Sequence, residues 1–224
     1  MKKIRIAIDG PAGAGKSSVS RLVAQMLDYQ YVDTGAIYRS LAFAMGDEIT
    51  LENHSGIKEL LKEFNLSFKV EEGINQVFLN EKNITSFIRT EKVSMLASSV
   101  SALPFVRAAL LEIQKKYAVK GGVVMEGRDI GTVIIPDAEL KVFLTATPEK
   151  RAGRRLLELK AKGIDITMEE LVEEIKKRDE QDSKRAVAPL KMADDGVLVD
   201  NSELNLEETA KLIVKIALER EKLS

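Results

Sequence analysis

Short runs of β-branched residues alternate with stretches whose apolar positions recur every three or four residues, and this alternation organises the chain. Ile4, Ile6 and Ile8 predict a short buried strand, bounded by a Gly10-Pro11 turn. Val19, Leu22, Val23 and Met26 then recur at helical spacing, so a helix opens at or just after Lys16. Tyr31-Val32 reads as a second strand ended by Asp33-Thr34-Gly35, and a helix from near Ala36 carries Ile37, Tyr38, Leu41 and Phe43. A polar break over residues 46–56 precedes a short amphipathic helix through Ile57, Leu60, Leu61 and Phe64. The texture then changes. Leu66-Ser67-Phe68-Lys69-Val70 alternates apolar with polar, Glu71-Glu72-Gly73 turns, and Asn75-Gln76-Val77-Phe78-Leu79 follows, with Ile84 and Ile88 extending the pattern. That is a hairpin, inserted over about residues 65–90.

Helical spacing resumes from Thr90 to Ser101 and from Phe105 to Val119, until Gly121-Gly122. Val123-Val124-Met125 and Leu140 to Leu144 predict buried strands. Thr147-Pro148-Glu149 starts a helix with a cap, proline at the first position and an acid in the first turn, and Lys162-Gly163 stops it. Thr167 and Glu170 form a capping box for a long helix toward Arg185. Val197-Leu198-Val199 is the last strand, and Asn205 caps a final helix that packs Leu206, Leu212, Ile213 and Ile216 inward. Strands alternating with helices make an α/β protein: a parallel sheet of about five strands, flanked by helices, with an inserted antiparallel hairpin. Ligands of such sheets sit at the carboxyl ends of the strands. The Gly10 loop, the Asp33 turn, the Gly127 turn and Thr145-Ala146-Thr147 all lie there.

Composition narrows the picture by exclusion. The chain has 224 residues, 45% of them hydrophobic and 31% charged, which fits one domain over residues 1–224 with sizeable insertions. Lysine plus arginine, 34, balances aspartate plus glutamate, 35, so charge gives no reason to expect long nucleic acids or anionic membranes as partners. There is no cysteine, which excludes disulfides and thiolate chemistry. The one histidine, His54, lies in a polar stretch and reads as a solvated loop residue. Arg5 and Asp9 interrupt any signal-like apolar run, and nothing approaches the roughly twenty residues of a membrane span. A cytoplasmic protein is expected.

Candidate chemistry concentrates at the first strand–helix junction. Gly10-Pro11-Ala12-Gly13-Ala14-Gly15-Lys16-Ser17 matches G-x-x-x-x-G-K-[ST] with a strand before and a helix after it. The glycines let backbone N–H groups curl around phosphates, and the helix N-terminus adds partial positive charge. Lys16 reaches the β- and γ-phosphates and the Ser17 hydroxyl holds Mg²⁺, which implies a bound nucleoside triphosphate. Elsewhere, Arg178, Asp182 and Arg185 stand at i, i+4 and i+7; Arg151, Arg154 and Arg155 cluster on the preceding helix; Arg39 and Arg128 follow strand ends. Such planar, bidentate donors suit phosphate. The set fits transfer of a γ-phosphoryl group to a second anion, chemistry that rests on positioning and charge neutralisation. A phosphate acceptor is already ionised near neutral pH and needs no general base. The Arg-rich connection around residues 150–168 reads as a lid that excludes water.

Gly10 to Ser17, Asp33-Thr-Gly-Ala-Ile-Tyr-Arg39, Gly127-Arg-Asp-Ile-Gly-Thr132 and Lys177-Arg178-Asp179 with Asp182-Ser-Lys-Arg185-Ala-Val-Ala-Pro-Leu190 together resemble the bacterial cytidylate kinase family, from end to end of the chain. The resemblance implies a P-loop nucleoside monophosphate kinase fold, ATP as donor, CMP or dCMP as acceptor, Mg²⁺, and a monomer with a monophosphate-binding part over residues 36–105. It implies donor binding by Gly10 to Ser18. It makes Ser98, Arg107 and Asp129 the readers of cytosine. Thr34, Tyr38, Arg39, Arg128 and Arg185 lie near the acceptor phosphate, and Arg178 and Asp182 face the pentose. Lys16, Arg128, Arg178, Arg185, Arg154 and Arg155 are the catalytic set it implies, Arg151 being the third arginine of the lid. Two positions depart from the family pattern: Lys16-Ser17-Ser18 stands where Lys-Gly-Thr is common, and Thr34 where serine is common. From the residues alone, a kinase of the same fold acting on UMP, AMP or a non-nucleotide acceptor stays open. So does a nucleotide-dependent switch or motor, although the chain has no N-K-x-D and no L-S-G-G-Q motif.

Overall fold

A computed structural model describes residues 3–71, 74–161, 163–185 and 187–223. In chain order its elements are β1 (Arg5–Asp9), α1 (Lys16–Leu27), β2 (Gln30–Asp33), α2 (Thr34–Met45), α3 (His54–Lys62), β3 (Leu66–Glu71), β4 (Ile74–Leu79), β5 (Lys82–Asn83), α4 (Glu91–Val100), α5 (Pro104–Lys116), β6 (Val123–Gly127), a single π-helical turn (Ile130–Ile134), β7 (Leu140–Thr145), α6 (Pro148–Lys160), α7 (Met168–Ser183), β8 (Val197–Asp200) and α8 (Leu206–Glu221). They fall into two compact units. One runs through residue 31 and resumes at residue 118; the other spans Val32–Tyr117.

The first unit is built on a five-stranded sheet in the order β2-β6-β1-β7-β8. β1 pairs in parallel with both β6 and β7, and β7 with β8. Strands buried on both faces need apolar residues at successive positions, which is why Ile6-Ala7-Ile8 of β1, Val123-Val124-Met125 of β6 and Val142-Phe143-Leu144 of β7 are unbroken apolar runs. Ile4, Ile6, Ile8, Val124, Val142 and Leu144 pack with Val19, Val23 and Ala24 of α1 and with Ala210, Ile213 and Ala217 of α8. The inner face of α8 differs from the expectation: Leu206 and Leu212 are 47% and 39% exposed. Ile213 is buried and Ile216 packs against the core, as expected, while Thr209, Ala210 and Ala217 face inward in place of the two leucines, and small residues there let the helix approach closely. α6 and α7 share a smaller cluster of Ala152, Leu159, Leu171 and Ile175. Both arms of the Thr167–Glu170 capping box are formed. α7 ends at Ser183, so Arg185 lies beyond the helix on which the spacing placed it.

In the second unit β3, β4 and β5 form the inserted antiparallel sheet. Glu72 and Gly73 of the expected turn lie outside the described residues. The third strand is Lys82–Asn83, not a continuation through Ile84 and Ile88. The chain turns after Asn83, the Ile88 N–H donating to the Ile84 carbonyl at 3.2 Å, so both isoleucines drop into a core with Ile37, Leu41, Met45, Ile57, Val100, Val106 and Leu110. α2 begins two residues before Ala36 because the Asp33 carboxylate caps it, accepting from the Ala36 N–H at 3.0 Å. His54 is the first residue of α3, its ring 5.2 Å from that of Phe105, and not a loop residue. Among the described residues no single helix is long and apolar enough to cross a membrane.

Candidate active site

The loop after β1 is shaped by close backbone approaches. Gly10 has φ +154°, and a Cβ there would stand 2.0 Å from the Leu144 carbonyl oxygen on β7. Gly15, at φ +85°, is the left-handed residue that starts α1. Side chains satisfy the loop's carbonyls. Lys16 Nζ donates to Pro11 O at 2.7 Å, Arg151 Nη1 to Ala12 O at 3.0 Å, and Asn201 Nδ2 to Ala14 O at 3.0 Å. With three carbonyls engaged from the protein side, the N–H groups of the loop and of the first turn of α1 are the polarity left for an anion. Ser17 is half-buried and Ser18 exposed. Lys16 is 7% exposed; burial brings its ammonium down to about 7, Arg128 adds to the fall, and Glu126, Asp9 and Asp182 oppose it. An anion beside this amine returns the missing favourable charge.

The neighbouring strand end carries Arg128 and Asp129. Asp9, the last residue of β1, accepts from the N–H groups of Ile130 and Gly131, each at 2.7 Å. Burial raises the Asp9 carboxyl to about 6, those two hydrogen bonds pull it back, and Asp129 adds to the rise. Behind Lys16, the buried Glu126 of β6 accepts a hydrogen bond from the Tyr31 hydroxyl.

Arg128 Nε donates to Asp182 Oδ2 at 2.9 Å, and Arg185 Nη2 donates to Asp182 Oδ1. Asp182 is thus gripped by Arg128 and Arg185. The chain leaves the helix at Ser183 and brings Arg185 back onto the carboxylate. Arg178 still reaches solvent; desolvation, then Arg128, lower its pKa against the opposing pull of Asp182. The Asp182 carboxyl is held below its ordinary value: desolvation raises it, and the surrounding arginines overcome that. Three guanidinium groups around one carboxylate leave a net positive cluster, the charge expected of a phosphate site.

The arginines of the expected lid divide in role. The stretch is helical over Pro148–Lys160. Arg151 is 3% exposed and donates to Ala146 O, Ala12 O and both oxygens of Asp179, so its donors are committed to protein groups. Arg154 bonds Asn201 O at 2.8 Å and lies against Ala14 O at 3.4 Å. Arg155 pairs with Glu158 on the exposed face.

In the second unit, Thr34 is buried at the start of α2 and Arg39 Nη2 bonds Asp33 Oδ2 at 2.6 Å. Arg107, 9% exposed, places its guanidinium 5.9 Å from the centre of the Tyr38 ring, a cation–π contact between two residues that the sequence reading singled out separately. Arg107 Nη1 also approaches Ser101 O at 3.4 Å, and the Ser101 hydroxyl bonds Ser98 O at 2.8 Å, so Ser98, exposed on α4, and Arg107 meet through one residue.

Four residues were missed. Arg89 approaches the same Asp33 oxygen as Arg39, at 3.6 Å. Asp9, Glu126 and Asn201 terminate or follow β1, β6 and β8. The rule that ligands gather at carboxyl ends of strands would have flagged these three; Arg89 sits in the insertion's exit, where no motif marks it.

A family model described as cytidylate kinase matches residues 6–219. The chain is 47% identical over 214 residues to a cytidylate kinase of Carboxydothermus hydrogenoformans, covering 95% of this chain and 96% of that one. It is 47% identical over 213 residues to a cytidylate kinase of Pseudomonas aeruginosa, covering 94% and 93%. Among solved structures, a shikimate kinase from Bacteroides thetaiotaomicron superposes with a TM-score of 0.51 at 14% identity, covering 96% of this chain and 98% of that one. A gluconokinase from Sinorhizobium meliloti superposes with a TM-score of 0.50 at 16% identity, covering 100% and 97%. At those identities the structural likeness speaks for the fold alone.

Proposed function

The chain belongs to the cytidylate kinase family, and from that premise we propose how its residues divide the work. The enzyme transfers the γ-phosphoryl group of ATP to CMP, giving CDP and ADP; dCMP is the second acceptor we assign to it. The donor triphosphate lies on Gly10 to Ser18. Lys16 follows the β/γ-phosphates into the transition state, where a fixed cation in a dry site is worth most. Mg²⁺ takes oxygen ligands and neutralises phosphate charge when bound. The half-buried Ser17 hydroxyl fits it, and the buried Glu126 carboxylate supplies charge of the right sign.

Arg128 and Arg185 hold the acceptor phosphate; Arg178 and Asp182 hold the pentose. Each Asp182 oxygen keeps a lone pair beyond its arginine bond, enough to accept from a ribose hydroxyl. Thr34, Tyr38, Arg39 and the added Arg89 serve the acceptor phosphate, and Ser98 and Arg107 the base. Asp129 accepts from the cytosine amino group and meets uracil acceptor to acceptor. Arg154 and Arg155 remain the arginines of the lid, over residues 150–168, that steady the transferred group. Residues 36–105 form the monophosphate-binding part, and the protein is a cytoplasmic monomer.

The observation that carries this reading is the cationic cluster of Arg128, Arg178 and Arg185 around Asp182, of which Arg128 and Asp182 also act electrostatically on Lys16 of the phosphate loop. A coupled assay with ATP and a panel of CMP, dCMP, UMP and AMP tests it. ADP release should depend on CMP and dCMP. Release that is independent of any acceptor, or fastest with AMP, overturns it.

A further inference from the structure

Inside the phosphate loop two peptides lead into glycine, Ala12-Gly13 and Ala14-Gly15, and both glycines have positive φ, +77° and +85°. A peptide that leads into glycine turns over easily, because glycine takes φ of either sign at little cost. Both peptides are held through their carbonyls by side chains from far along the chain. Arg151 Nη1 donates to Ala12 O at 3.0 Å, and Asn201, 187 residues from Ala14, donates Nδ2 to Ala14 O at 3.0 Å. Asn201 directly follows β8 and is 3% exposed. Its own N–H donates to Thr145 O at 2.8 Å, which fastens it to the end of β7. Its side-chain amide is oriented from both ends. Arg154, which only donates, bonds Oδ1 at 3.3 Å, and the Ala14 carbonyl, which only accepts, takes Nδ2. Arg154 also bonds the Asn201 backbone carbonyl at 2.8 Å.

We propose that Asn201 is a positioning residue for the donor phosphates: by pinning the Ala14 carbonyl, it aims the Gly15 N–H into the phosphate loop. This deepens the reading that Gly10 to Ser18 hold the triphosphate, and rests on it. A trans peptide is planar, with its N–H opposed to its C=O. Holding Ala14 O toward Asn201 therefore turns the Gly15 N–H to the other side. Without the pin, ψ of Ala14 and φ of Gly15 turn the peptide over, and the loop offers a phosphate an oxygen in place of a donor. Arg154 Nη1, 3.4 Å from Ala14 O, is too far to replace the pin. A donor fixed before binding costs nothing to order when the ligand arrives. The G-x-x-x-x-G-K-[ST] pattern does not specify this partner. It comes from beyond β8, a strand separated from β1 by β7.

The test is KM for ATP and for CMP, with inhibition by tripolyphosphate against ATP, in wild type and Asn201→Ala, and turnover of Lys16→Ala beside them. Tripolyphosphate carries the donor's phosphates and no nucleoside. Asn201→Ala should raise KM for ATP by about tenfold and weaken tripolyphosphate inhibition by about the same factor, with KM for CMP within about twofold of wild type. A rise for ATP with tripolyphosphate inhibition unaltered would mean that Asn201 meets the nucleoside, and overturns the proposal. Equal rises in KM for ATP and CMP would mark a general defect of the strand end, and overturn it too. Lys16→Ala with turnover within about threefold of wild type overturns the donor reading, and the proposal with it. A crippled Lys16→Ala beside an Asn201→Ala of unaltered KM for ATP ends the proposal and leaves the donor reading standing. If Asn201→Ala does not fold, Asn201→Ser takes its place; failure of both to fold makes Asn201 a folding residue and ends the proposal.

Discussion

Arg151 grips both carboxylate oxygens of Asp179, at 3.0 and 2.5 Å, and with the same guanidinium holds the Ala12 carbonyl of the phosphate loop. One buried side chain therefore ties the donor loop to α7, the helix that carries Arg178 and Asp182. Arg151→Ala should cost stability first, since it strands a carboxylate and two carbonyls: about 3 kcal/mol. For a chain of this size that is a fall in Tm on the order of 10 °C, read by calorimetry. Arg155→Ala, on the exposed face, should leave Tm within about 1 °C.

Lys16→Ala removes the cation proposed to stay with the transferred phosphoryl group. A fall in kcat of at least about a hundredfold, roughly 2.7 kcal/mol, is expected with the circular dichroism spectrum unchanged. Turnover within threefold of wild type would sink the donor-site assignment.

Asp182→Ala releases Arg128 and Arg185 together. Turnover of CMP should drop by about a hundredfold or more, beyond what loss of one ribose contact explains. ATP affinity, titrated separately, should stay within about threefold. Parallel loss of both would mark the carboxylate as a structural anchor for the whole strand-end cluster.

Arg89→Ala should raise KM for CMP on the order of tenfold while KM for ATP holds, because Arg89 shares the Asp33 carboxylate with Arg39 and is proposed to share its phosphate. Steady-state kinetics with each substrate varied in turn decide it; an unaltered KM for CMP removes Arg89 from the site.

Asp9 gives a pH signature. Its folded-state pKa, about 6, lies above the ordinary 3.8. A carboxyl raised in this way contributes stability below pH 3.8 and loses it as pH rises through 6. A gap of about two pH units is worth about 3 kcal/mol. Urea unfolding of wild type minus that of Asp9→Asn should therefore decline between pH 4 and 7. A difference that is flat over that range would mean Asp9 carries its charge at no cost.

Local rules were enough for much of this protein. The β-branched run before Gly10, the helical spacing after Lys16, the proline-led start of α6 and the Thr167–Glu170 capping box are decided by neighbours within a few residues. The sequence alone therefore determined the alternation of strands and helices, the inserted hairpin and the phosphate loop. It also determined the strand ends at which the site gathers. It did not determine the partners of the charged groups. Asp182 lies one turn from Arg178, yet it is held by Arg128, 54 residues away, and by Arg185 beyond the helix end. Arg151 looked like the third arginine of the lid until the fold set Asp179 and Ala12 around it. Asp9 looked like the end of a strand until the crossover brought the turn after Asp129 onto its carboxylate. Charge pairs form wherever the packed backbone delivers two groups within about 3 Å, and burial makes those meetings strong. That delivery is a property of the sheet order β2-β6-β1-β7-β8, in which neighbours in space are distant in sequence, so only the tertiary structure could decide it.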